Sequence, residues 1–140
     1  MPIADFIRSR SNITDKIAVL GSEPQIYFYT GRPSATGYMY TYSLMENHEY
    51  ALNMQEEMIR EIESSSPKFL VLVYVSTSWL ARPNSEKYIF GWLDDYTRRN
   101  YLLVGVADII FPEMTVYRWD DDAKKYTLRS PAHVLVFMKR

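Results

Sequence analysis

The feature that most constrains the fold is the segment 69–75, the longest uninterrupted apolar run in the chain. Its residues are apolar without alternation, which is typical of a central strand covered on both faces. The run is too short to span a bilayer, since a spanning helix needs about 20 apolar residues. A second apolar run, Ile17–Leu20, ends at Gly21, and residues 47–64 between the two runs have the apolar spacing of a helix. The order strand, helix, strand is typical of a parallel α/β unit.

The remaining segments extend this α/β pattern over a single domain, residues 1–140. We expect a three-layer sandwich, in which a mixed, mostly parallel sheet has helices on both faces and closes with a C-terminal β-hairpin. The hairpin is predicted across residues 120–122. The predicted helices are 2–10, 23–30, 47–64 and 84–99, and the predicted strands are 16–20, 38–42, 69–75, 101–106, 114–119, 125–129 and 133–138.

Composition limits the classes of function. A formal net charge of −1 argues against a nucleic-acid surface, because phosphate binding requires a clustered excess of Lys and Arg. The absence of cysteine excludes disulfides and thiol nucleophiles and leaves the cellular compartment open. The two histidines, His48 and His133, have no partner at metal-ligand spacing. An EF-hand loop beginning at Asp120 would need Gly and Glu where Lys125 and Pro131 stand, so we expect neither metal nor cofactor.

The first strand ends in a glycine turn that lacks the spacing of a phosphate-binding loop. A dinucleotide fingerprint would need further glycines where Glu23 and Ile26 stand, and no Gly-Lys-Ser or Gly-Lys-Thr triplet occurs. The hydroxyls that follow the second apolar run, Ser76 to Ser78, are not in a Gly-x-Ser-x-Gly elbow. The residues therefore predict a Rossmann-like appearance without the phosphate chemistry, and no catalytic residue.

The most promising constellation lies at the carboxyl ends of the first two predicted strands. Because loops at the carboxyl ends of neighbouring parallel strands converge, we expect a crevice lined by aromatic rings, one guanidinium and hydroxyls. The candidate ligand-binding residues are Glu23, Tyr27, Tyr29, Arg32, Tyr38, Tyr40, Ser76, Thr77, Ser78 and Trp79. Aromatic faces suit sugars and a guanidinium suits phosphate, so the ligand class is a glycan or a lipid-phosphate headgroup. The alternative is that Arg32 pairs with Glu23 and the tyrosines pack beneath a loop.

A family resemblance is carried by two adjacent stretches of the chain. Residues 21–45 read GSEPQIYFYTGRPSATGYMYTYSLM, and residues 50–80 read YALNMQEEMIREIESSSPKFLVLVYVSTSWL. This order resembles the soluble C-terminal domain of bacterial polytopic membrane glycosyltransferases, which are similar to the dolichyl-phosphate-mannose protein mannosyltransferase family. The similarity runs from about residue 4 to residue 95, with a weaker match to the end.

The resemblance implies a setting for the chain. Those transferases move sugar from a polyprenyl-phosphate carrier to a lipid or protein acceptor, using an acidic residue in an early loop between membrane helices. That loop is not in this sequence, so no catalytic residue is carried over. The resemblance implies a non-catalytic, extracytoplasmic (periplasmic) domain that is preceded by the membrane part of its parent chain. Its partners would be that membrane part and a glycan or a polyprenyl-phosphate headgroup, whose binding it would assist.

Two other classes of function stay open. One is a free-standing cytosolic α/β protein or enzyme that binds a nucleotide or phosphate ligand, with Ser76 to Ser78 holding a phosphate at a helix start. The other is a protein-interaction module that uses surface tyrosines, since the chain contains 12 Tyr.

Overall fold

A five-stranded mixed sheet organises the chain in the computed structural model, which describes residues 1–111 and 113–140. The strands are β1 Ile17–Leu20, β2 Phe69–Tyr74, β3 Tyr101–Ile110, β4 Met114–Trp119 and β5 His133–Lys139. The helices are α1 Pro2–Ser9, α2 Gln25–Thr30, α3 Tyr42–Met45, α4 Ala51–Ser65, α5 Ser76–Trp79, α6 Tyr88–Asn100 and α7 Asp120–Lys125. Within the described residues, no helix combines the length and apolar character that crossing a membrane requires.

The sheet order is β1-β2-β5-β3-β4, and only β1 and β2 pair in parallel. The expected α/β class is confirmed, whereas a mostly parallel sheet is wrong, because the other three pairings are antiparallel. The cause is the position of β5. Strands β1, β2 and β3 all run in one direction, and β5 inserts between β2 and β3 in the opposite direction. One parallel pairing is thereby replaced by two antiparallel ones.

Both faces of the central strands are buried, as the apolar run in β2 predicts. Side chains alternate along a strand, and in β2 Phe69 and Val71 lie in one apolar cluster while Leu70 and Leu72 lie in another. Residues of α1 and α2 belong to the first cluster, and residues of α3, α4 and α6 belong to the second.

The helix predicted over residues 47–64 is present as α4, and its residues Met58 and Ile62 are fully buried. It begins four residues later than predicted, because the preceding segment forms a turn in which His48 Nδ1 accepts the Tyr50 N–H at 3.1 Å. It ends at Ser65, and the following residue, Ser66, adopts a left-handed conformation with φ of 48°. This start and stop fix where the next strand begins.

Helix α6 also begins later than predicted, at Tyr88 rather than after a cap at Asn84 or Ser85. Ser85 is buried instead, and its hydroxyl donates to the Met45 carbonyl and accepts the Arg82 N–H at 2.8 Å. The residue that resembled a helix cap therefore ties a loop to α3.

Two predicted strands are wrong. Residues 38–42 do not form a strand, because this segment is held against α4: the Thr36 hydroxyl donates to Glu61 at 2.7 Å and the Tyr38 hydroxyl donates to Glu57 at 2.7 Å. Residues 125–129 do not pair with β4. The Asp and Lys residues of 120–125 form α7 instead, with acidic groups in its first turn and basic groups in its last, as the helix dipole favours. The hairpin partner of β4 is β3.

Helix α1 is locked onto the sheet by stacked aromatic rings and an ion pair. The Phe6 ring stacks on Trp119 with ring centroids 4.4 Å apart, and Arg10 binds Asp120 through two contacts of 2.5 and 2.6 Å. The Trp119 ring in turn requires glycine at position 105, because a Cβ there would lie 2.6 Å from the ring. The Phe6, Trp119 and Gly105 contacts therefore pack α1 against the sheet.

Candidate ligand-binding pocket at the carboxyl end of β2

The loops that follow β1 and β2 converge, as predicted from their parallel pairing. The Ser22 N–H donates to the Ser78 hydroxyl at 2.8 Å, and the Ser22 and Thr41 hydroxyls lie 3.2 Å apart. The Thr41 N–H donates to the Ser22 hydroxyl at 2.8 Å. Gly21 permits this approach: its φ is 141°, and an added Cβ would lie 2.6 Å from Val73 Cβ. Ser22, Thr41 and Ser78 therefore hold loops together rather than face a ligand.

Two further candidate residues also use their polar atoms internally. The Tyr27 ring is buried, and its hydroxyl accepts the Val19 N–H at 2.8 Å. Burial raises the pKa of Tyr27 above its ordinary value, while hydrogen bonds from Ser34 and Val19 act in the opposite direction. The Trp79 indole N–H donates to the Val73 carbonyl at 2.8 Å. The polar atoms of Tyr27 and Trp79 thus stabilise the scaffold.

Arg32 lies at the opposite end of β1 from the converging loops. Its guanidinium donates to the Ser11 hydroxyl at 2.8 Å and to the Ser11 carbonyl at 3.0 Å, and Ser11 precedes β1. Glu23 accepts a hydrogen bond from the Gln25 side chain instead of pairing with Arg32. The structure therefore forms neither the expected crevice around Arg32 nor the alternative ion pair with Glu23.

The remaining tyrosines are dispersed over the surface. Tyr29 is exposed beside Phe28, and Tyr40 is exposed and stacks on Tyr42 with ring centroids 6.1 Å apart. Tyr38 is held by Glu57, and burial together with that carboxylate raises the pKa of Tyr38 to about 12. Thr77 is exposed on α5. These residues do not share a site with Ser76 and Trp79.

A pocket of about 490 Å³ does open at the carboxyl end of β2. It lies between β2, α5, α6 and the segment before β5, and it contains two of the predicted residues, Ser76 and Trp79. Its full lining is Val73, Tyr74, Val75, Ser76, Trp79, Ala81, Phe90, Leu93, Asp94 and Pro131. The sequence prediction missed the α6 residues, although Phe90 and Asp94 are four residues apart and so share one helix face.

Aromatic rings form the walls of the pocket. Trp79 and Phe90 meet edge to face with ring centroids 4.9 Å apart. Tyr74 stacks on His133 at 4.8 Å and keeps 38% of its surface exposed. Burial raises the pKa of Tyr74, and the negative charge of Asp94 raises it further. The Tyr74 hydroxyl therefore stays a neutral donor across the physiological range.

One carboxylate stands among these rings. Arg98 and Arg99 both bind Asp95, at 2.9 and 3.0 Å, whereas the Asp94 carboxylate has no ion-pair or hydrogen-bond partner within residues 1–111 and 113–140. The Ser76 hydroxyl is exposed beside it. The pocket thus combines apolar ring faces, one strong acceptor and hydroxyl donors, and its lining contains no Lys or Arg.

This set of groups limits the chemistry of the pocket. A glycosidase needs two carboxylates across its substrate, and the lining contains one. In the part of the chain that the structure describes, no group of three or more His, Asp or Glu side chains is arranged to hold a metal ion. The lining presents aromatic ring faces, one carboxylate and hydroxyl groups, which are groups that complement a ligand bearing hydroxyls.

No family model, curated protein or solved structure matched the chain at the significance level applied. The resemblance to a membrane glycosyltransferase domain therefore stays a prediction from the sequence.

Proposed function

We propose that the chain is a non-catalytic glycan-binding domain and that the pocket between β2, α5 and α6 is its binding site. The observation that carries this proposal is the unpartnered Asp94 carboxylate standing among the Tyr74, Trp79 and Phe90 rings in a concavity of about 490 Å³. This volume is in the range of small-molecule sites. We also propose the three-layer arrangement, since α1 and α2 share one apolar cluster and α4 and α6 share the other.

A sugar ring fits the chemistry of this lining. Its C–H faces are apolar and pack on aromatic rings, while its hydroxyls donate hydrogen bonds that are strongest when the acceptor is ionised. Asp94 supplies such an acceptor, and the Ser76 and Tyr74 hydroxyls can donate to ring and hydroxyl oxygens. A phosphate fits poorly, because the lining has one negative charge and no Lys or Arg. This supports the acceptor glycan over the donor headgroup as the ligand.

The setting that we propose follows from the resemblance. There the chain is the extracytoplasmic, periplasmic C-terminal domain of a membrane glycosyltransferase that uses a polyprenyl-phosphate-linked sugar, and the membrane part of the parent chain is its partner. The pocket supports the acceptor-binding part of this role. The parent chain, the compartment and the sugar donor rest on the sequence resemblance alone.

The competing interpretation as a nucleotide- or phosphate-binding protein has less support from the geometry. That interpretation places a phosphate at Ser76 to Ser78. Ser78 is buried and engaged with Ser22, and the pocket beside Ser76 presents the carboxylate of Asp94 instead of a cation. One observation favours the interpretation as a protein-interaction module: Phe28 is 80% exposed and packs edge to face on Tyr29.

Two adjacent carboxylates offer a matched test. Asp94→Asn removes the exposed carboxylate that lines the pocket, and Asp95→Asn removes the neighbouring carboxylate, which is paired with Arg98 and Arg99 and does not line the pocket. A panel of neutral mono- and disaccharides is titrated into the isotope-labelled chain and followed by amide chemical shifts. We expect shifts in β2, α5 and α6, an affinity about tenfold weaker in Asp94→Asn, and native affinity in Asp95→Asn.

Two results would contradict the proposal. One is the absence of amide shifts around the pocket at saturating sugar concentrations. The other is binding of organic cations, with no sugar binding, that is lost in Asp94→Asn, because an aromatic pocket with one carboxylate also satisfies a cation.

A further inference from the structure

Three lysines form a row across the opposite end of the sheet from the pocket. Lys16 precedes β1, Lys68 precedes β2, and Lys139 ends β5. The Lys68 N–H donates to the Lys16 carbonyl at 2.8 Å, and the Lys139 N–H donates to the Lys68 carbonyl at 2.8 Å. These bonds hold Lys68, at a bend just before β2, between Lys16 and Lys139, so the three residues are neighbours at this edge of the sheet.

The three side chains project toward the same hollow. Residues directly opposite one another in a sheet point to the same face, and strands lie about 4.8 Å apart. At this row the face is the one covered by α4, whose last residue, Ser65, and the following Ser66 line a hollow of about 510 Å³ together with the lysines. Like charges directly opposite one another on a sheet are destabilising. The row therefore needs negative charge nearby.

The protein supplies only part of that negative charge. Asp15 Oδ2 lies 3.6 Å from Lys68 Nζ, and Lys139 Nζ donates to the neutral Ser66 hydroxyl at 2.5 Å. The carboxyl end of α4 contributes about half a negative charge. Among residues 1–111 and 113–140, three ammonium groups thus face one carboxylate and one helix end, which leaves about one and a half positive charges without compensation.

We infer that this lysine row is a binding site for a phosphate group, on a soluble ligand or on a lipid headgroup. A phosphate monoester carries about −1.5 to −2 charges at pH 7, which matches the uncompensated charge of the hollow. Each ammonium is a compact donor on a flexible stem, and Ser66, whose hydroxyl accepts from Lys139 Nζ, lines the same hollow. The site is independent of the glycan pocket, which lies at the other end of β2.

The test uses inorganic pyrophosphate as the probe, titrated at low ionic strength and followed by amide chemical shifts. For the native chain we expect shifts around residues 14–16, 65–68 and 139. The triple variant Lys16→Gln/Lys68→Gln/Lys139→Gln is expected to bind about tenfold more weakly or worse. Its control, Lys87→Gln/Lys124→Gln/Lys125→Gln, loses the same charge elsewhere and is expected to keep the native affinity. Equal binding by the native chain and the triple variant would overturn the inference.

Sedimentation with vesicles distinguishes the two sources of phosphate. Vesicles of phosphatidylcholine with phosphatidic acid are compared with vesicles of phosphatidylcholine alone. Capture of the native chain by the acidic vesicles, lost in the triple variant, assigns the site to a lipid headgroup. Pyrophosphate binding without vesicle capture assigns it to a soluble phosphate. Failure of both probes overturns the inference, and the sugar titration is unaffected by either result. If the triple variant loses its native amide spectrum, Lys16→Gln and Lys139→Gln singly replace it.

Discussion

The two ends of β2 present opposite chemistry. Its carboxyl end opens into an aromatic pocket with one carboxylate and no cation, whereas its amino end lies in a row of three lysines. The difference arises from what surrounds each end. The Ser22, Thr41 and Ser78 hydroxyls join loops to one another, which leaves aromatic rings, Ser76 and Asp94 in the lining of the pocket. At the amino end, strand pairing itself brings like charges together. One strand thus connects the two proposed sites, one for neutral sugar and one for phosphate.

Two carboxylates, those of Asp108 and Asp94, differ in burial and in their hydrogen-bond partners. Asp108 is fully buried and accepts hydrogen bonds from the Tyr126 hydroxyl at 2.7 Å, the Arg129 N–H at 2.9 Å and the Ser130 N–H at 3.2 Å. Asp94 is exposed at the pocket and has no such partner within the described residues. The buried Asp108 carboxylate is fully hydrogen-bonded within the protein and stabilises the fold, whereas the exposed Asp94 carboxylate is hydrated and can exchange that water for a ligand.

The largest expected effect is the difference in the free energy of unfolding between variants of these two carboxylates. Asp108→Asn leaves at least one of the buried N–H donors without an acceptor and should lower the free energy of unfolding by about 3 kcal/mol. Asp94→Asn should change it by less than about 0.5 kcal/mol, because its carboxylate holds no part of the fold. Urea unfolding measures both values. An equal loss of unfolding free energy in the two variants would contradict the structural role assigned to Asp108 alone.

The next largest effect tests the loop convergence beside the pocket. Gly21→Ala places a Cβ 2.6 Å from Val73 Cβ at a φ of 141°, so it should lower the free energy of unfolding by about 2 kcal/mol. Gly91→Ala is the matched control, because a Cβ there meets no atom within 4 Å and the residue lies inside α6. Alanine should stabilise α6 by about 0.5–1 kcal/mol. Thermal unfolding that moves both variants in the same direction would contradict this account.

The pH dependence of stability sharpens the comparison of the carboxylates. Burial alone would raise the pKa of Asp108, but hydrogen bonds from Tyr126, Arg129 and Ser130 outweigh it and hold the pKa below its ordinary value. A carboxyl with a lowered pKa stabilises the fold above its unfolded pKa of about 3.9 and loses that contribution as pH falls further. The difference in the free energy of unfolding between the native and Asp108→Asn chains should therefore shrink as the pH falls below about 4. A difference in the free energy of unfolding that does not change with pH would contradict the lowered pKa of Asp108.

The smallest effect concerns Tyr38, which the sequence placed in the binding site and the structure ties to α4. Tyr38→Phe removes one partly exposed hydrogen bond to Glu57 and should lower the free energy of unfolding by about 0.5 kcal/mol. With the pKa of Tyr38 raised to about 12, its contribution is present below about pH 10 and is lost as pH rises toward 12. Sugar affinity should be unchanged. A loss of sugar affinity in Tyr38→Phe would move the site toward the residue 36–42 segment.

The sequence predicts elements whose signal is local. The continuous apolar run identifies β2, the spacing of Met58 and Ile62 identifies α4, and the turn at Gly21 indicates that the β1 and β2 loops meet. Ser76 and Trp79 lie in the pocket because they directly follow β2. These inferences needed no knowledge of distant contacts.

The predictions that failed depend on distant contacts. Arg32 follows the left-handed Gly31 at the end of α2, which runs back along β1 and brings the guanidinium to Ser11 instead of the pocket. The insertion of β5 between β2 and β3 cannot be read from local patterning, and neither can the register that aligns Lys16 with Lys139 across β2. Residues that meet only through strand order and register leave no signal in neighbouring sequence positions.

The most direct test of the glycan pocket is a chemical-shift titration of the native chain with the neutral disaccharide that binds best, followed by pyrophosphate in the same sample. We expect the sugar to shift amides of β2, α5 and α6, and pyrophosphate then to shift a separate set around residues 14–16, 65–68 and 139. A sugar that shifts no amide near Tyr74, Trp79 or Asp94, or that is displaced by pyrophosphate, would contradict the assignment of the pocket.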